Sequence, residues 1–188
     1  NMFRGATSFN KNIGSWDVGK VEYLDSTFLG ATAFNQNLNS WNVSNVTNLG
    51  SAFKSAAAFN GDISSWDTSK VDYFWYTFQG AASFNQDISS WNVANVSNMI
   101  YMFDGATAFN QDLTSWDVSR FASEPSNFSN NANAWALNKR PLWGIPQLSS
   151  TTPADGATGV TANSNITLTF GKSIQAGTGF IKLYKSDN

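Results

Sequence analysis

Residues 78–102 read FQGAASFNQDISSWNVANVSNMIYM, and the chain copies this stretch on both sides at an interval of 25 residues. One column of the copies holds Phe3, Phe28, Phe53, Phe78, Phe103 and Phe128. A second holds Phe9, Phe34, Phe59, Phe84 and Phe109, each followed by an asparagine (Asn10, Asn35, Asn60, Asn85, Asn110). A third holds Trp16, Trp41, Trp66, Trp91 and Trp116. Self-similarity at such a period marks a stacked or arrayed architecture, in which one copy cannot bury its own apolar face and needs neighbours.

Within one copy, Trp16 and Val18 stand two apart, the spacing of a short strand with one buried face. Val21, Leu24 and Phe28 follow at i, i+3 and i+7, one stripe of a helix. The stripe returns as Val46, Leu49, Phe53, as Val71, Phe74, Phe78 and as Val96, Met99, Phe103. Gly30, Gly80 and Gly105 fall where a left-handed residue ends a helix. The spacing therefore predicts strand, turn, short helix, turn. After Ser126 the register decays and NNANAWALNKRPLWG follows, so residues from about 128 to 146 are expected to cap the array. No such cap precedes Asn1, and the chain is expected to be a mature product or a piece of something longer, with further repeats upstream.

From residue 147 the composition changes to a polar linker, LSSTTPADGATG, and then to Ile166-x-Leu168-x-Phe170 and Ile181-x-Leu183, which alternate as strands do. The domain boundaries expected are thus 1–146 for the repeats and 147–188 for the linker with an incomplete β-domain.

The net charge is −2 with 13% charged residues, which argues against a nucleic-acid binder. Histidine and cysteine are both absent, so disulfide staples, thiol nucleophiles, the commonest general base and the usual zinc ligands are excluded. No apolar run is long enough to span a bilayer.

The phrase FNQDISSWNVANV, with its copies, resembles the 25-residue unit of the BspA-type bacterial leucine-rich-repeat surface proteins, over residues 1 to about 146. The tail PADGATGVTANSNITLTFGKSI resembles the opening of the Ig-like domain of S-layer and adhesin-type bacterial proteins. The resemblance implies a leucine-rich-repeat-like solenoid, a right-handed coil with one short strand and a short helix or turn per repeat, followed by a partial β-sandwich. It also implies a secreted, cell-surface bacterial location and an adhesive role, without a catalytic motif.

Three sets of residues are candidates for sites. The Asn10, Asn35, Asn60, Asn85, Asn110 column reads as a structural ladder, each side chain bonding the next coil at one inward position. Asp17, Asn42, Asp67, Asn92 and Asp117 flank the tryptophans as a polar strip that could hold a sugar, a peptide or Ca²⁺, or could simply be solvated. Their Asp/Asn alternation keeps like charges from adjoining on neighbouring coils about 4.8 Å apart. Tyr73, Trp75, Tyr76, Ile100 and Tyr101 break the repeat and lie off the apolar stripe, forming an aromatic patch suited to an interface or a sugar platform.

No cofactor is expected apart from that calcium option. The expected function is adhesion to a protein, a glycan or another copy of the chain through an extended repeat face. The alternative is a structural spacer or assembly subunit of a surface layer. A carbohydrate-active enzyme is the remote third, because the pairs Asp62/Asp67 and Asp112/Asp117 recur with the period, as a structural repeat would make them do.

Overall fold

Phenylalanine lies on phenylalanine throughout the repeat region of the computed structural model, which describes residues 1–144, 148–153, 158, 165 and 167–170. Within one copy Phe28 stacks on Phe34, Phe53 on Phe59 and Phe78 on Phe84, with centroids 4.2, 4.0 and 3.9 Å apart. From copy to copy Phe28, Phe53, Phe78 and Phe103 follow at 5.3, 5.7 and 5.5 Å. Phe34, Phe59, Phe84 and Phe109 form a second file at 5.9, 5.9 and 5.7 Å. The interior members are wholly buried. Offset-stacked rings contribute beyond the area they hide, so the period in sequence becomes a continuous aromatic core.

The backbone of each copy bonds to the next. Leu24, Ser26, Phe28 and Gly30 donate their N–H groups to the carbonyls of Asn48, Gly50, Ala52 and Lys54. Between these bonds run tight turns, such as Thr27 N–H to Leu24 O and Ala31 N–H to Phe28 O. Each buried tryptophan adds a side-chain tie: Trp41, Trp66, Trp91 and Trp116 donate Nε1–H to the carbonyls of Ile13, Leu38, Ile63 and Ile88 at 2.9–3.2 Å. Trp16, in the first copy of the given sequence, is 44% exposed, whereas Trp41 to Trp116 are 2–5% exposed.

The fold class expected from sequence is corrected here. Among the described residues the secondary structure amounts to one 3-10 turn, Leu137–Lys139, and two strands, β1 (Leu148–Thr152) and β2 (Thr167–Phe170). The repeats carry neither the expected strand at Trp16–Val18 nor the expected helix at Val21–Phe28. The leucine-rich-repeat-like solenoid of strand and helix is therefore not what the chain forms. In its place stand irregular turns joined by single-residue parallel bridges, Tyr23 to Asn48, Asn48 to Tyr73 and Tyr73 to Asn98.

The physical reason lies in the backbone. Ser26, Ser51, Tyr76 and Tyr101 have φ of 52–58°, and Gly30, Gly80 and Gly105 have φ of 67–72°, which breaks any helix within one turn. An α-helix would also consume internally the N–H groups that here tie copy to copy.

The C-terminal end closes the core by turning its rings. Trp135, buried, stands edge-on to Phe109 at 89° and donates Nε1–H to Gln111 O at 2.8 Å. Trp143 meets Phe128 at 78°. Edge-on rings leave no parallel face for another copy. Arg140 holds the cap by donating to Ser129 Oγ at 2.8 Å and to Trp135 O at 3.1 Å, while Ser129 donates to Glu124 at 2.6 Å.

The chain divides into two compact units, Asn1–Ile145 and Pro146–Asn188. In the second, β1 and β2 pair antiparallel, with Thr152 opposite Thr167, Ser150 opposite Thr169, and an irregularity between Leu148 and Ser150. Leu168 and Phe170 of the expected strand lie in β2. Val160, Ile166, Ile181 and Leu183 lie outside the described residues. Two paired strands make a single layer, so the expected partial sandwich is also corrected: no sandwich is present among the described residues.

Candidate functional site

The asparagine column forms a chain of side-chain to backbone bonds. Asn35, Asn60, Asn85 and Asn110 each donate N–H to Oδ1 of the asparagine one copy before, at 2.8–2.9 Å. The last Oδ1, that of Asn110, takes Ala136 N–H of the cap at 3.2 Å. Gln36, Gln86 and Gln111 add Nε2–H bonds to Asn10, Asn60 and Asn85. The column is not inward, as the sequence had it. Asn10, Asn35 and Asn60 are exposed, and Asn85 and Asn110 half-buried. Bonding that seemed to require burial occurs along an outer edge.

Asp17, Asn42, Asp67, Asn92 and Asp117 are all exposed. Each Oδ1 accepts the N–H two residues on, from Gly19, Ser44, Ser69, Ala94 and Ser119, at 3.0–3.2 Å. These are Asx turns, which asparagine and ionised aspartate close equally well. Asn12, Asn37, Asp62, Asp87 and Asp112 close a second series in the same way. Among the described residues no three carboxylates gather so as to hold a metal ion.

The turns hold some of these acids ionised. The Ser69 hydroxyl and N–H lower the pKa of Asp67, the Ser89 N–H and hydroxyl that of Asp87, and the Thr114 hydroxyl and N–H that of Asp112. A carboxylate whose folded pKa is depressed adds stability above its unfolded pKa of about 4 and loses it as pH falls through the lower folded value. The urea midpoint should therefore stay level from about pH 7 to 5 and fall below about pH 4. Asn at positions 67, 87 and 112 together keeps the turns, and titrating the midpoint should show a shallower acid decline.

The aromatic patch divides in two. Tyr76 and Tyr101 stack face to face at 4.8 Å and 7°, and Trp75 meets Tyr76 edge-on at 5.4 Å. Lys54 Nζ sits over the Tyr76 ring at 4.3 Å, a cation–π contact. Trp75 lies across Gly50 of the preceding copy, where any Cβ would run into the indole Nε1. Ile100, half-buried, accepts Tyr76 N–H on its carbonyl. Both faces of Tyr76 are thus occupied, by Tyr101 and Lys54, which removes it as a platform for a flat sugar ring. Ring edges and phenol hydroxyls are what remain on offer.

Tyr73 stands apart from this cluster. It is 42% exposed and has no aromatic partner among the described residues. It belongs instead to the bridged row Tyr23, Asn48, Tyr73, Asn98. Sequence reasoning missed Lys54, whose contact depends on the left-handed turn at Tyr76. It also missed the packing of Trp75 across Gly50, although a glycine 25 residues ahead of a tryptophan is a visible signal.

Residues 1–71 and 39–139 match the model of a family described as "Mycoplasma protein of unknown function, DUF285". The chain belongs to this family. Residues 144–187 of the DUF285 chain match the model of a bacterial Ig-like domain. No curated protein and no solved structure matches it. The two family matches support a bacterial surface-protein context for this DUF285 chain; the narrower BspA-type leucine-rich-repeat assignment is not among them. No helix among the described residues is long and apolar enough to cross a membrane.

Proposed function

We propose that the repeat unit is a binding module of a secreted bacterial surface protein, attaching the cell to a protein partner through the patch of Lys54, Trp75, Tyr76, Ile100 and Tyr101. One observation carries this reading. Tyr76 and Tyr101 have φ of 57° and 56°, at a position where Ser26 and Ser51 make the same turn. A bulky residue in left-handed backbone is strained. The turn does not require it, since serine serves in two other copies, and the core does not require it, since both side chains are only half-buried. Accepting that strain sets Tyr76 and Tyr101 beside Trp75 on one surface, residue types enriched where proteins meet. Many copies on one cell would multiply weak contacts.

The reading is of binding and not of catalysis. The pairs Asp62/Asp67 and Asp112/Asp117 each have an oxygen engaged in a turn, which supports a structural role for them.

Tyr76→Ser combined with Tyr101→Ser should change stability by no more than about 1 kcal/mol, the relieved strain offsetting the lost stacking and cation–π contacts, while binding to immobilised extracellular-matrix proteins is lost. An array of such proteins, with wild type and variant compared, tests it. Silence of the wild type across the array would favour the spacer reading, and equal binding by both forms would clear the patch of any role.

A further inference from the structure

The row Tyr23, Asn48, Tyr73, Asn98 has a second chemistry, separate from the patch just described, and we infer that it binds a linear, uncharged β-1,4-linked polysaccharide lying along the stacking direction. The four residues are joined by parallel bridges, so they stand one per copy in a straight file. Bridged neighbours are about 4.8 Å apart, which puts the two tyrosines about 9.6 Å from each other. Tyr23 is 63% and Tyr73 42% exposed, and neither ring is stacked on another among the described residues, in contrast to Tyr76 and Tyr101. Among the described residues no cation sits over either ring.

The asparagines between them are oriented by their own turns. Asn48 Oδ1 accepts Gly50 N–H at 2.8 Å and Asn98 Oδ1 accepts Ile100 N–H at 3.1 Å. With the oxygen held by backbone, each amide presents its Nδ2 hydrogens as donors. The file therefore reads aromatic face, donor, aromatic face, donor.

An extended β-1,4-linked chain of pyranose rings advances by close to one such spacing per sugar and turns alternate rings over. Every second sugar then offers the same face. That is the repeat of the tyrosines, with the intervening hydroxyls meeting the asparagines. Aromatic faces and a few placed donors are the means by which proteins hold such rings.

Charge decides between an uncharged and a charged polymer. The residues just before the row carry both signs on the same copies, Lys20 with Glu22 and Lys70 with Asp72, and none on the copy between, Asn45 with Thr47. Lys20, Glu22, Asn45, Thr47 and Lys70 line one open groove. Balanced charge gives no field to attract a polyanion or a polycation.

The test is calorimetric titration of the whole chain with β-1,4-glucan and β-1,4-N-acetylglucosamine oligosaccharides of increasing length, with α-1,4-glucan oligosaccharides and heparin as controls. Affinity for at least one β-linked series should rise with length and level off at about four sugars, one per copy from Tyr23 to Asn98. The controls should stay silent. Tyr23→Ala and Tyr73→Ala, both at exposed positions, should each weaken binding about tenfold. Circular dichroism of each variant should match the wild type. Tyr76→Ser with Tyr101→Ser should leave glycan affinity unchanged, so failure of the protein-binding patch and failure of this row read out separately. Absence of length-dependent β-glycan binding by the wild type, equal binding of the α-linked control, or full binding by the Tyr23→Ala/Tyr73→Ala double variant would overturn the assignment.

Discussion

Phe78→Ala is expected to destabilise the repeat unit by about 3–5 kcal/mol, the range for removing a fully buried phenylalanine. The ring is 0% exposed and meets Phe53 at 5.7 Å, Phe103 at 5.5 Å, Phe84 at 3.9 Å and Trp91 at 6.1 Å. Its loss opens a cavity across three successive copies. The neighbouring rings are held by their own files and by the tryptophan bonds, so they cannot collapse into the space. Phe3→Ala provides the contrast. Phe3 is only half-buried, and its partners Phe9, Trp16 and Phe28 lie on one side of it or within its own copy. It should cost about 1–2 kcal/mol on the same grounds. Urea unfolding followed by tryptophan fluorescence measures both, and near-equal losses would show that the core is not the continuous double file described here.

Gly61→Gln is expected to destabilise by about 1–3 kcal/mol, the usual range for overpacking. Equivalent positions in three other copies hold glutamine (Gln36, Gln86, Gln111), each bonded to the asparagine ladder. Consensus reasoning therefore makes Gly61→Gln stabilising. The geometry reverses the sign. Gly61 is buried, and a Cβ there would run into the backbone carbonyl oxygen of Gln36, which no rotamer change can relieve. Gly61→Ala should lose nearly as much, since the clash begins at the first carbon. A rise in the urea midpoint for Gly61→Gln would mean that the two copies can separate there at little cost.

The aromatic columns were legible because stacking in register makes like positions neighbours, and the period of Phe28, Phe53 and Phe78 says so directly. The local structure was not. Val21, Leu24 and Phe28 satisfy a helical stripe and are also inward-facing points of a sequence of turns. Choosing between them needs the φ of Ser26, which serine does not announce. The Asp/Asn alternation at Asp17, Asn42 and Asp67 is legible in the sequence as relief of charge repulsion, and the structure adds a second cause, the Asx turn that accepts either residue. Tyr73 and Tyr76 read as one patch because both break the repeat and lie off the apolar stripe. The left-handed turn at Tyr76 sends that ring onto Tyr101 and leaves Tyr73 with the asparagine row.

The central claim is that each copy lies directly on the next, shifted by 25 residues, with backbone bonds between them. The natural chain has no cysteine, so introduced pairs report proximity without interference. Ala58 N–H bonds Thr32 O at 3.1 Å, which places Thr32 and Ala57 on adjoining copies. Thr32→Cys with Ala57→Cys should oxidise to an intramolecular disulfide, whose Cα atoms need to be within about 7 Å. Thr7→Cys with Ala57→Cys, two copies apart, should not. Equal cross-linking of both pairs, or of neither, would contradict the stacking on which the core, the patch and the tyrosine row all depend.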